Sequence, residues 1–142
     1  MLKILKKLWG PGERRKYVRA PAGSTVKFRI LDSKNPAICS RVIQGKVLDI
    51  SVEGLCIGTS TVQVDGLHVF HASSPNQNKL EVEVDLREGL PQLRTLAQVK
   101  WYRRVEDEFG SIYKVGINWE CLNDGDQEVL KKFLKMKDRS LV

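Results

Sequence analysis

The sequence predicts a mainly β domain, an antiparallel barrel or sandwich with one C-terminal helix behind it and a basic arm in front. Three observations carry this. Apolar residues recur at every second position in several stretches between residues 24 and 119, as in strands with one buried face. Clusters of Gly, Pro, Asn, Asp and Ser separate those stretches. Beyond residue 123 the spacing becomes helical. At 142 residues the chain suffices for one domain with a real core and is short for two.

Taken in order, MLKILKKLW sets Leu2, Ile4, Leu5, Leu8 and Trp9 against Lys3, Lys6 and Lys7, a small amphipathic helix that Pro11-Gly12 ends. So short a helix is marginal alone in water. The domain's own surface is the favoured support, ahead of a partner protein and of an anionic bilayer. Val26, Phe28 and Ile30 then alternate with Lys27 and Arg29, and Val82, Val84 and Leu86 with Glu81, Glu83 and Asp85. Leu93, Thr95, Ala97, Val99 and Trp101 share one face, and Val115, Ile117 and Trp119 another. Apolar runs at 38–48, 55–59 and 66–70 add strands, and turns are expected at 32–36, 73–78, 88–91 and 105–111. Six or seven short strands with one polar face each favour closure, which removes exposed edges. In DQEVLKKFLKMK, Val129, Leu130, Phe133, Leu134 and Met136 fall on one side, with acids first and lysines last, matching the helix dipole.

Charge is localised. Residues 1–19 carry net +6 and the remaining 123 residues net +1. An almost neutral body with a basic arm argues against a groove for duplex nucleic acid and for a local anion clamp. Three cysteines, Cys39, Cys56 and Cys121, have no C-x-x-C spacing and apolar neighbours, so buried packing residues in a reducing cytoplasm are expected. No run of residues is apolar enough for a membrane span, and no secretory signal is evident.

Catalytic chemistry is missing. His68 and His71, as H-x-x-H in a strand, would face opposite ways and cannot share a metal without distortion. Phosphate-loop, dinucleotide and nucleophile-elbow motifs are absent too. A non-enzyme without a metal is the expectation.

Two features carry binding chemistry. ERRKYVRAP, residues 13–21, packs Arg14, Arg15, Lys16 and Arg19 together. VLDISVEGLCI, residues 47–57, sets Asp49 and Ser51 on one strand face, opposite an apolar wall of Leu48, Ile50 and Val52, before Gly54 permits a turn or close approach. Alone, the second stretch reads first as a strand end with its turn. Arg15-x-x-x-Arg19, Asp49-x-Ser51-x-x-Gly54 some thirty residues later, VKWYRR, the Gly116–Trp119 strand and a closing helix with VLKKFL together resemble the PilZ family of bacterial second-messenger receptors, over about residues 13–136.

The resemblance implies a six-stranded antiparallel PilZ-type barrel over about residues 22–120 and a helix over about 124–137, within a domain at 13–142 preceded by a short segment and linker at 1–12. It implies cyclic di-GMP as ligand, bound by Arg15, Arg19, Asp49, Ser51 and Gly54. Arg14 before the arginine motif implies two stacked nucleotides. The physics agrees: arginine's planar fork suits guanine O6/N7 or a phosphate, and a carboxylate accepts from the guanine N1-H and amino group. A flexible arm flanked by Pro11-Gly12 and Ala20-Pro21 is expected to order on the ligand and reposition residues 1–9, relaying the signal to an unidentified downstream protein. A homodimer is credible. The rivals are a protein-interaction adaptor that no longer uses the nucleotide, and a basic arm that binds anionic lipid or nucleic acid.

Overall fold

The computed structural model describes residues 17–18, 24–70, 77–86, 90–107 and 110–140. The amphipathic stretch 1–9, Arg14, Arg15, Arg19 and His71 lie outside them, and with them the expectations of a helix, a flexible arm and opposed histidines. In chain order the elements are β1 (Tyr17–Val18), β2 (Thr25–Leu31), β3 (Ile43–Ser51), β4 (Gly54–Thr59), β5 (Gln63–Val64), β6 (Leu67–His68), β7 (Lys79–Asp85), β8 (Leu93–Asp107), β9 (Gly110–Trp119) and a helix, α1 (Asp124–Ser140).

Six strands close a barrel in the order β3, β2, β7, β8, β9, β4 and back to β3, every pair antiparallel. β3 makes the closure because it is long enough to serve several neighbours. Lys46 pairs with Thr25 of β2 and also with Gly58 of β4, and further on Ile50 and Ser51 pair with Val18 and Tyr17 of β1. The interior is the alternation made solid: Val26, Phe28 and Ile30 from β2 meet Leu80, Val82 and Val84 from β7, all 2% exposed or less. Leu93, Ala97 and Val99 of β8 and Val115 and Ile117 of β9 complete the barrel core, and Leu130 and Phe133 of α1 join it. Each Val, Leu, Ile or Phe among them contributes about 1.5–3 kcal/mol by leaving water. Asn123 starts the helix: its side-chain oxygen accepts the Asp126 N–H at 2.7 Å and its carbonyl the Gln127 N–H at 3.0 Å.

Several expectations are corrected. The strand read at 38–48 runs instead over Ile43–Ser51, and Ile38 and Val42 are exposed. The preceding turn extends further than its DSKNP core, because the Asp32 carboxylate holds the N–H groups of Lys34 and Asn35 and delays pairing. The run at 66–70 gives only β6, half of a two-residue hairpin with β5 outside the barrel. Asp65 and Gly66, with φ of 53° and 79°, form the tight turn that hairpin needs. The break expected at 105–111 is shorter, since β8 and β9 pair out to Asp107 and Gly110.

Two register shifts matter most. One lies between Val47 and Asp49 of β3, the other between Val99 and Trp101 of β8, so Leu48 and Lys100 are extra residues in their strands. An extra residue reverses the facing of all that follows. Trp101, expected on the core face, is therefore outside and 44% exposed. Val52, expected on the apolar wall, lies past the end of β3 in the turn and is exposed, and Ser51, expected in the open beside Asp49, lines the same groove but is 2% exposed. The cysteine expectation fails in part: Cys39 and Cys56 are half-buried and Cys121 is exposed.

Candidate functional site

The register shifts build a groove of about 470 Å³ on the outer face of β3, β4, β9 and β8. Cross-strand partners share a face. Asp49 pairs with Cys56, Cys56 with Gly116, and Gly116 with Trp101, so these four residues form one line across four strands. A second line runs parallel to it: Lys46, Gly58, Lys114 and Arg103. With Lys100, the groove lining holds three cations and two carboxylates, Asp49 and Glu53.

Glycines hold the lines close. A Cβ on Gly116 would fall 2.2 Å from the Trp101 indole nitrogen, so the indole lies directly against the β9 backbone. The Arg103 guanidinium sits 5.8 Å from the centre of the same ring, within cation–π range. Leu48, the extra residue of β3, covers Gly58, whose Cβ would meet it at 3.3 Å.

The DxSxxG stretch divides by role. Asp49 is exposed at the end of the first line. Ser51 closes the turn into β4: its hydroxyl accepts the Glu53 N–H at 3.1 Å and reaches the Gly54 carbonyl at 3.5 Å. The same turn is tied to β9, where the Trp119 indole donates to the Ser51 carbonyl at 3.3 Å and the Trp119 N–H to the Glu53 carbonyl at 2.9 Å. A Cβ on Gly54 would sit 1.8 Å from the Ile117 carbonyl oxygen, a contact no side chain tolerates. The structure thus brings Asp49, Ser51 and Gly54 into one wall of the groove, while Arg14, Arg15 and Arg19 lie outside the described residues.

The electrostatics fit an anion with hydrogen-bonding edges. Burial, and next the Asp49 carboxylate, push the Cys56 thiol up to about 11 against the pull of Lys114 and Arg103, so the groove floor is a neutral, small thiol at physiological pH. Among the described residues no cluster of three or more His, Cys, Asp or Glu is placed to hold a metal. His68 has a packing role there: its Nδ1 accepts the Phe70 N–H at 3.0 Å and its ring meets Tyr102 edge-on at 5.1 Å.

Sequence reasoning missed Lys100, Trp101, Arg103, Lys114 and Cys56 as site residues. The signal was the alternation of cation and aromatic in KWYRR, whose facing cannot be read without knowing that Lys100 is an extra residue.

Comparison with known proteins is consistent across the chain. The family model of the PilZ domain matches residues 13–135. Among solved structures, the PilZ domain of YcgR from Escherichia coli with c-di-GMP aligns at a TM-score of 0.59 and 13% identity, over 88% of this chain and 90% of that one. MrkH of K. pneumonia in its apo state gives a TM-score of 0.64 and 17% identity, over 88% of this chain and 50% of that one. PlzA of Borreliella burgdorferi in complex with c-di-GMP gives 0.57 and 16%, over 99% and 57%. The chain therefore spans about half the length of MrkH and PlzA. No curated protein matches it by sequence.

Proposed function

We propose that this chain, which belongs to the PilZ domain family, is a receptor for cyclic di-GMP that holds the nucleotide on the outside of the barrel between β3 and β8. The observation that carries this reading is the line Asp49, Cys56, Gly116 and Trp101. It sets a carboxylate at one end and an indole at the other, about 14 Å apart at the usual strand spacing, with only a thiol and a glycine between. The two guanines of the ligand take one end each: Asp49 accepts from the N1-H and amino edge of one, and Trp101 gives a face on which the other stacks, worth about 1–3 kcal/mol per base. Lys100, Arg103 and Lys114 suit the phosphates. The complexes of YcgR and PlzA with the same nucleotide support the choice of ligand.

Arg14, Arg15 and Arg19 act in this reading as the opposite jaw. β1 supports it, because Tyr17 pairs with Ser51 and so the chain between Arg15 and Arg19 runs alongside the motif strand. Each charge-assisted hydrogen bond adds about 1.5–3 kcal/mol, and Arg14 extends the jaw to a second, stacked nucleotide. Fastening the arm repositions residues 1–9 and passes the signal to a downstream protein in the cytoplasm. The protein works as a receptor rather than a catalyst.

Calorimetric titration with cyclic di-GMP, alongside mass measurement of the complex, is the test. Wild type is expected to give saturable heat with two nucleotides per chain, and Arg15→Ala and Asp49→Ala to give none. A wild type without heat would overturn the reading. One observation favours a second reading, an adaptor that keeps the motif for its fold: Ser51 has a role in the β3–β4 turn and Gly54 in the close approach to β9. Under that reading the wild type gives no heat while Gly54→Ala still unfolds the domain.

A further inference from the structure

A second groove, of about 450 Å³, lies behind the first, between the β3–β4 turn, the end of β9 and α1. Glu53 and Asn118 line both. Its walls are amphipathic. Val52 stands 47% exposed at the turn, Leu122 and Trp119 are only partly covered, and Leu130 forms the floor. Glu53 and Glu120 lie on the side of the turn and β9, and Lys131 on the side of the helix. An exposed β-branched side chain beside half-covered aromatic and aliphatic groups is apolar surface that the barrel itself does not bury.

We propose that this groove is the seat of the chain's own N-terminal segment, residues 2–9. The position of β1 argues for it. β1 runs antiparallel to β3 with Tyr17 opposite Ser51, so Tyr17, where the described chain enters β1, stands at the end of β3 next to the turn that carries Val52. β1 also lies beside α1, the opposite wall. The start of β1 is thus placed beside both walls of the groove. Seven residues, 10–16, connect Trp9 to Tyr17. They reach about 25 Å when extended, ample for a segment that must fold back beside its own exit. The chemistry matches as well: the helical face of Leu2, Leu5, Leu8 and Trp9 covers Val52, Leu122 and Trp119, and Lys3, Lys6 and Lys7 fall toward the lining that holds Glu53 and Glu120, the latter already paired with Lys79 at 2.6 Å. Seated there, residues 2–9 and β1 tie down both ends of the connector that carries Arg14 and Arg15.

The native thiol of Cys121, exposed and lining this groove, makes the seat measurable. In the full chain, without nucleotide, Leu5→Cys and Leu8→Cys are oxidised mildly beside Lys3→Cys, and the disulfide-linked peptides are identified by mass. Expected is an intramolecular link to Cys121 from Leu5→Cys or Leu8→Cys, forming at least about tenfold faster than from Lys3→Cys and independent of protein concentration. Adding Cys121→Ser abolishes it. Equal rates from all three positions, a link only between two chains, or no link to Cys121 would each overturn the proposal. Because no nucleotide is present, this outcome is independent of whether the first groove binds one.

Discussion

The barrel has two unlike flanks. Across β2, β7 and β8 the registers run unbroken, Thr25–Leu31 against Asp85–Lys79 and Lys79–Val84 against Gln98–Leu93. Their outward charges meet one another: Arg29 lies 3.1 Å from Glu81 and Arg94 2.6 Å from Glu83. Across β3, β4, β9 and β8 two registers slip, glycines replace side chains, and a tryptophan faces outward. The regular flank spends its polar groups on itself, whereas the irregular flank gathers a carboxylate, three cations and an aromatic face around a hollow. Binding capacity in this fold comes from where the strand pattern breaks.

The contrast is broken most severely at Gly54. Gly54→Ala sets a methyl against the Ile117 carbonyl and is expected to cost at least about 3 kcal/mol, the upper end of overpacking penalties, seen as a collapse of the urea midpoint. A midpoint within error of wild type would refute the close approach. Gly116→Ala displaces the indole instead. It should cost about 1–3 kcal/mol of stability, shift the Trp101 emission, and weaken cyclic di-GMP binding as Trp101→Ala does, by about fivefold to a hundredfold if one base stacks there.

Asp49→Asn keeps the shape of the groove and removes one charge. The nucleotide should bind about tenfold to a hundredfold more weakly, and the Cys56 thiol should become more acidic, since the Asp49 carboxylate is one of the groups raising it. Alkylation rates of Cys56 against pH report the second effect. In wild type the sign is fixed: the thiol is raised in the folded state from 9.0 to about 11, so folding stability drains away as pH climbs through that window. Cys56→Ser should flatten that slope relative to wild type. The smallest effect belongs to the regular flank, where Arg94→Ala breaks an exposed ion pair and should cost under about 1 kcal/mol with nucleotide affinity unchanged.

The same two flanks divide what could be read in advance. Val26, Phe28 and Ile30, or Val82 and Val84, announce their facing by strict alternation, and nothing interrupts it. Leu48 and Lys100 look like ordinary members of their strands, and no local pattern says that one of them is extra. Lys100 put Trp101 on the wrong side and hid it from the site, whereas Val52 was misplaced because it belongs to the turn that follows β3 rather than to the strand. The burial of Ser51 was not legible, because its hydroxyl answers to a backbone N–H two residues on. Asp49 was legible because charge keeps a carboxylate outside whatever the register does. Asp65-Gly66 is a hairpin signal that reading the apolar run at 66–70 as a strand passed over.

β3 also acts as the clasp of the barrel in time. Its middle, around Lys46, is held by β2 on one side and β4 on the other, while its far end pairs, among the described residues, with Tyr17 and Val18 of β1. Opening β1 leaves the cylinder shut; opening β3 at its middle undoes the cylinder. Amide exchange of Tyr17 and Val18 should then proceed by local fraying, in fractions of the time needed by Val47 and Ile57, whose amides wait for global unfolding. Equal protection at both places would mean that the entering strand belongs to the barrel as firmly as the six that close it.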